Sequence, residues 1–215
     1  MAQILWSMLI PFSQICDFLR ANNKNVTGVL HVGAHECEEK KDYNDEGIPD
    51  NKIIWVEGNK DKVLEMRMKG IDTIYCAVVD EQERDVTFNI TNNGQSSSIL
   101  PLETHSQHYP HIIVTEERKV KTTTLKSLIE ESQIPIQDLN FWNFDIQGAE
   151  LSALKGAGEY LKHAEFIYVE VNIESLYKGC PLLPEIDSFL EANGFRRCGM
   201  KLVVQGWGDA LYIRV

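Results

Sequence analysis

Cations are scarce in this chain. It has 21 Lys and Arg against 32 Asp and Glu, a formal charge of 21 − 32 = −11 over 215 residues. A surface of that sign repels phosphate backbones, so nucleic acid is not an expected partner. The five cysteines (Cys16, Cys37, Cys76, Cys180 and Cys198) form no C-x-x-C pair and are odd in number. That argues against a structural zinc site, a thioredoxin-type motif and a complete disulfide framework. They read as reduced, mostly buried thiols of a reducing compartment, so a cytoplasmic location is expected. No segment reaches the ~18–20 apolar residues of a membrane span. The apolar stretch 4–12 lacks a basic flank and a small-residue cleavage site, and reads as a packed N-terminal helix or arm rather than a signal peptide. Tandem repeats and low-complexity linkers are also missing. A composition of 43% hydrophobic and 25% charged residues excludes disorder, collagen and coiled coil.

What the sequence does contain is an alternation. Residues 12–21 read as a helix with Phe12, Ile15, Phe18 and Leu19 on one face. Residues 26–33 form a buried strand ending in glycine, 36–45 a charged helix, 53–57 a second strand, 60–69 a helix and 74–79 a third strand. Continuous apolar runs of this kind suit parallel strands buried on both faces. The middle differs: 86–90 alternates like a half-exposed strand, Asn92-Asn93-Gly94 turns, and a polar, His-bearing loop runs to His111. An extended piece over 120–124 and a helix over 125–131 follow. The alternation resumes with a strand at 141–145, a helix at 149–161, a strand at 166–171 and a helix at 184–193. Strands at 195–200 and 210–215 are too close for a helical crossover and should pair antiparallel. Trp6, Trp55 and Trp142 read as core.

Ligands of an open α/β sheet bind at the carboxyl ends of the strands. There the chain has Gly33-Ala34-His35, Glu57-Gly58-Asn59, 77–80, Asp145 with Gln147 and Glu150, and Glu170 with Asn172. An acidic strand end can accept two hydrogen bonds from a ribose diol, and Glu57 follows Gly33 by 57 − 33 = 24 positions, near the ~20 of nucleoside sites. A tight turn or a solvated strand end would show either feature alone; together they favour a nucleoside. The dinucleotide fingerprint G-x-G-x-x-G is incomplete, because Glu36 and Glu38 stand where a pyrophosphate would lie. That disfavours a nicotinamide dehydrogenase and suits a nucleoside carrying an amino group, such as S-adenosylmethionine (SAM). Asp145 can accept a proton, bind a cationic group or hold a metal. Glu150 either joins it or complements a helix dipole. His105, His108 and His111 favour a solvated loop, since Pro110 interrupts any helix, while Trp207 in the terminal loop is placed to line a substrate pocket.

The motifs Val29-Leu30-His31-Val32-Gly33-Ala34-His35, Trp55-Val56-Glu57-Gly58-Asn59, Asn93-Gly94-Gln95-Ser96-Ser97-Ser98, Asp145-Ile146-Gln147-Gly148-Ala149-Glu150-Leu151 with Leu154-Lys155-Gly156, Val169-Glu170-Val171 and Gly194-Phe195 resemble the FkbM-type SAM-dependent methyltransferases over 26–215. The resemblance implies a Rossmann-like class I methyltransferase fold, a seven-stranded, mostly parallel sheet with an antiparallel C-terminal strand. It implies one domain over 1–215 with a helical arm at 1–25, leaving acceptor recognition to loops. It implies SAM contacts from His31, Gly33, Ala34, His35, Glu38, Glu57, Gly58, Asn59, Ala77, Val78 and Asp145, with Glu57 on the ribose. It also implies methyl transfer to a hydroxyl, often of a sugar, glycan or natural product. Many relatives carry Asp in place of His31, which leaves the methionine ammonium to Glu38 or Asp145. Asp145 is the expected base, with Glu170 and Gln147 as partners, and Asp145, Glu170 and Asn172 are candidates to hold Mg²⁺. Ser96, Ser97, Ser98, His105, His108 and Trp207 are expected to meet the acceptor. A non-catalytic SAM-binding or partner domain of a glycan-modifying assembly is the alternative, and the oligomeric state stays open.

Overall fold

Four strands of the chain are apolar enough to be buried at every position: β1 (Val29–Val32), β2 (Ile53–Glu57), β6 (Phe141–Phe144) and β7 (Phe166–Asn172). Such strands need cover on both faces. The computed structural model, which describes residues 8–215, provides it with helices on each side of one seven-stranded sheet. β3 (Ile74–Cys76), β8 (Phe195–Leu202) and β9 (Trp207–Arg214) complete the order β3-β2-β1-β6-β7-β9-β8. The first five are parallel; β9 runs antiparallel between β7 and β8. β4 (Asp85–Thr91) and β5 (Val114–Lys121) form a separate antiparallel pair. The order reverses between β1 and β6, and a crevice opens at their carboxyl ends.

Side-chain alternation divides the core in two. Leu30, Val32, Ile54, Trp142 and Val169 pack on the face covered by α5 (Leu125–Glu131), α6 (Glu150–Gly156) and α7 (Leu183–Ala192). Val29, Trp55, Phe141 and Tyr168 pack on the other, beneath α1 (Phe12–Ala21), α2 (Lys40–Asp45) and α3 (Lys60–Met68). Trp55 and Trp142 are core as expected; Trp6 lies outside the described residues. All five cysteines are free, with only Cys76 exposed.

Several boundaries differ from those read in the sequence. Phe18 leaves the apolar face of α1 for solvent, and Cys16 takes its place beside Phe12, Ile15 and Leu19. The helix expected over 36–45 begins only at Lys40, because His35 and Cys37 adopt left-handed φ of 41° and 55° and hold the chain in a tight turn. The third strand stops at Cys76, freeing 77–79 to line the crevice. The helix after β6 ends at Gly156 and continues as a 3₁₀ segment, Gly158–His163. The His-bearing loop contains a helical turn, α4 (His105–His108), and Trp207 opens strand β9 instead of lying in a loop. Among the described residues no helix is long and apolar enough to cross a membrane.

Helix α1 belongs to the core, since the Phe12 ring meets Tyr43 and Phe141 edge-on at 4.7 and 5.2 Å. Phe12→Ala should cost about 3–5 kcal/mol, seen as a lower urea midpoint. An unchanged midpoint would mean that α1 is dispensable.

Candidate functional site

Strand register places polar side chains in rows on the sheet face beneath α1 and α2. His31 pairs with Asn143, and Asn143 with Tyr168. One step towards the carboxyl ends, Gly33 and Asp145 sit beside each other, so closely that a Cβ at Gly33 would lie 1.8 Å from the Asp145 carbonyl oxygen. Glu170 of β7 pairs with Asp209 of β9 in the same row. Asp145, Glu170 and Asp209 thus stand on three successive strands of one face.

This row floors the larger of two cavities, about 850 Å³ with its open mouth included. The wall adds Glu38, Glu39, Tyr109 and Trp207, and among the described residues no Lys or Arg lines it. Gln147 organises the floor from a left-handed backbone (φ 58°). Its Nε2 donates to Asp145 Oδ1 at 2.6 Å and to Glu170 Oε2 at 2.8 Å, while its Oε1 accepts from the Tyr177 hydroxyl at 2.5 Å. Burial holds the Glu170 carboxyl well above its usual range, and desolvation within the cavity raises Asp145, which stays open to solvent, as well. Burial also pushes Glu39 up to about 8 and Asp209 up to about 7. Glu38 goes the other way: despite burial, its hydrogen bonds with His35 Nδ1 (2.7 Å) and Glu36 N–H (3.0 Å) keep it low.

The smaller cavity, about 540 Å³, abuts the first and shares Gly33, His35, Gln95 and Asp145 with it. Its walls are largely apolar, with Ala77, Val78, Phe88, Ile99 and Ile146, and Glu57 supplies a carboxylate. Glu57 is aimed by two backbone donors, His35 N–H to Oε2 (2.8 Å) and Asn59 N–H to Oε1 (2.6 Å). Each oxygen keeps a second lone pair for a ligand hydroxyl. The segment between β4 and β5 roofs both cavities, tied down by Gln95 to Glu38 (3.2 Å) and by the Ser98 hydroxyl to the Gln147 carbonyl (2.8 Å). Gly94 (φ 76°) has no room for a side chain, since a Cβ would lie 2.7 Å from His35 Nε2.

Of the residues expected to meet a cofactor, Gly33, His35, Glu57, Gly58, Ala77, Val78 and Asp145 line the smaller cavity. His31 does not: it lies in the larger one, bonded to Tyr43 (3.0 Å), and burial drops it to about 3, which keeps it neutral. Glu38 also lines the larger cavity. Ala34 is core, and Asn59 is the N-cap of α3, accepting from Asp61 N–H. Of the expected acceptor contacts, Ser96, His105 and Trp207 line the larger cavity, whereas Ser97 and Ser98 face the smaller one. His108 turns away to pair with Glu174. Glu36 pairs with Lys62 outside, and Glu150 is buried beneath the site, its Oε1 accepting from Ile146 and Gly148 N–H. The metal set of Asp145, Glu170 and Asn172 is not assembled. The Gln147 amide spans the two acids, the Asn172 amide has no partner, and no group of three His, Cys, Asp or Glu among the described residues is placed to hold an ion. Glu39, Tyr109, Tyr168 and Asp209 were missed by motif reading, although the alternation of β7 from Glu170 back to Tyr168 already carried one of them.

An open sheet of this order, with a nucleoside-sized cavity at its reversal point, has the class I methyltransferase architecture. The methyltransferase FkbM domain model matches residues 29–197, and the chain belongs to that family. No curated protein matches. Among solved structures, the magnesium protoporphyrin IX methyltransferase of Synechocystis PCC 6803, with bound SAM, is 11% identical at a TM-score of 0.49, covering 94% of this chain and 77% of that one. A SAM-dependent methyltransferase of Aquifex aeolicus is 14% identical at 0.41, covering 96% and 90%. The 16S rRNA methylase ArmA is 13% identical at 0.31, covering 95% and 83%. All three scores are low, and the family assignment rests on the domain match.

Glu39 and Asp209 keep protons on folding that the unfolded chain would release above its ordinary values of 4.5 and 3.8. The folded state therefore binds more protons across that interval, and stability falls as pH rises from about 4.5 towards 8. Melting temperature should be higher near the lower end, and Glu39→Gln should flatten the slope. A pH-independent melting temperature would contradict the burial of these acids.

Proposed function

We propose that the chain is a SAM-dependent O-methyltransferase acting on a hydroxyl of a sugar, glycan or related small molecule. The observation that carries this reading is the pair of abutting cavities with Asp145 on their shared wall. The smaller cavity suits a nucleoside: apolar walls that include Val78 and Phe88, and the Glu57 carboxylate for a ribose diol. The close approach at Gly33 brings the β1 turn against Asp145 at the junction, where Glu38 and Asp145 are the anions for a methionine ammonium. SAM supplies a methyl group already activated on a sulfonium, so positioning does much of the work.

A sugar hydroxyl is a weak acid and needs a proton acceptor as it attacks. Asp145 fits that task. Gln147 donates to it and fixes its orientation, and Tyr177 and Glu170 fix Gln147. The acceptor's proton passes to Asp145 while its oxygen takes the methyl group in line. The Gln147 amide fills the space between the acids, so activity should persist in EDTA.

Calorimetry with SAM and with its demethylated product tests the first half of the reading. Both should bind, and Glu57→Ala should weaken them roughly tenfold or more, the scale of lost hydrogen bonds to a charged group. Failure of both to bind at millimolar concentration would overturn it. Asp145→Asn should lower kcat by about 10²–10⁴, the usual contribution of a general base. Undiminished turnover would remove Asp145 from that role.

A further inference from the structure

The larger cavity has more carboxyl groups than methyl transfer to a neutral hydroxyl requires. Asp145 serves as base and Glu38 as a partner for the methionine ammonium. That leaves Glu170, Asp209 and Glu39 in one space with no Lys or Arg of the described residues on its wall. Asp209 is 7% exposed and accepts from the Tyr168 hydroxyl (2.5 Å) and from Leu9 N–H (2.7 Å). Both donors use Oδ2, leaving Oδ1 outside these bonds. The Lys201 ammonium is tied to the Leu9 carbonyl and offsets little of the burial of Asp209. Glu39 stands 3.9 Å from His31, an imidazole kept neutral by burial. Buried carboxylates without a counter-charge are costly.

Two further buried side chains have unmet hydrogen-bonding capacity, and one of them faces this cavity. His105 lines the same cavity, is 4% exposed, and its Nδ1 has no hydrogen-bond partner. Asn172 is fully buried, and both atoms of its amide lack partners. Strand alternation places Asn172 on the face of Glu170, across from Trp207. The unfilled capacity of the carboxyl row, with Asp209 Oδ1 outside these bonds, is acceptor capacity. An ammonium group carries three N–H donors and no acceptor, which is its complement. A metal ion is the poorer fit, since no three His, Cys, Asp or Glu side chains converge among the described residues.

We propose that the acceptor is a cationic amino alcohol such as an amino sugar, its ammonium group seated against Asp209 and Glu170 while its hydroxyl lies at Asp145. This rests on the methyltransferase reading and narrows its substrate class. The row of carboxylates across β6, β7 and β9 then has two uses: Asp145 faces the methyl donor, and the farther pair anchors the acceptor by its charge.

The test is calorimetric titration of the protein, saturated with the demethylated cofactor product, with glucosamine and ethanolamine. N-acetylglucosamine and N-acetylethanolamine are the uncharged controls. The amines should bind at millimolar concentration or tighter and the N-acetyl compounds at least about tenfold more weakly, as expected for a charge-paired contact. Asp209→Asn keeps the acceptor atom for Tyr168 and should lose most of that preference, with its melting curve and cofactor-product affinity as controls for folding. Equal binding of amines and N-acetyl compounds, no binding of either amine, or an undiminished preference in Asp209→Asn would each overturn the proposal. Cofactor product that binds while the amines do not would sink this inference alone. If the product fails to bind, the methyltransferase reading fails with it.

Discussion

Three carboxyl groups on adjacent strands of one sheet face form an arrangement that a folded protein does not tolerate without compensation. Asp145, Glu170 and Asp209 are brought side by side by strand register, and burial of Glu170 and Asp209 makes it costly to charge them beside one another. The surroundings answer this constraint. Gln147 takes a left-handed backbone to bring its amide between two of the acids, and Tyr177 holds that amide in place. Tyr168 reaches along the face to donate to the third. Burial holds the Glu170 carboxyl well above its ordinary range. The residual shortage of positive charge lies towards the cavity, where a substrate enters.

The fold was largely legible from the sequence, because doubly buried strands are continuous apolar runs that nothing else resembles. Val29–Val32, Ile53–Glu57 and Phe141–Phe144 fall where those runs lie. Legibility failed where the backbone serves the site instead of a regular element. The turn over 35–39 looks helical by composition, but His35 and Cys37 adopt left-handed φ so that the His35 N–H meets Glu57 and the ring meets Glu38. His105 looked solvated in a polar stretch, yet the rings of Tyr109 and Tyr177, 5.0 and 5.4 Å away, enclose it. Those contacts join residues far apart in sequence, and no local pattern announces them.

The site was legible in part, for the same reason. Gly33, Glu57 and Asp145 sit at strand ends, and strand ends can be read. Asp209 was hidden because it follows Gly206-Trp207-Gly208, a run that suggests a loop but is the start of β9. Antiparallel pairing then sets it opposite Glu170. The division between the two cavities was likewise unreadable: neighbours in sequence such as Ser96 and Ser97 fall on opposite sides of it.

The hydrogen bonds around Gln147 have a direction. Tyr177 gives to Gln147, and Gln147 gives to both Asp145 and Glu170. No donor leaves the Asp145 carboxylate. Asp145 is therefore a sink for donors whose protein partners are already seated, and its remaining lone pairs are left for a donor from outside the chain. In the proposed reaction a group attached to that donor would arrive with its geometry already set, so the network that restrains the acid would also select which of an acceptor's hydroxyls is presented to it.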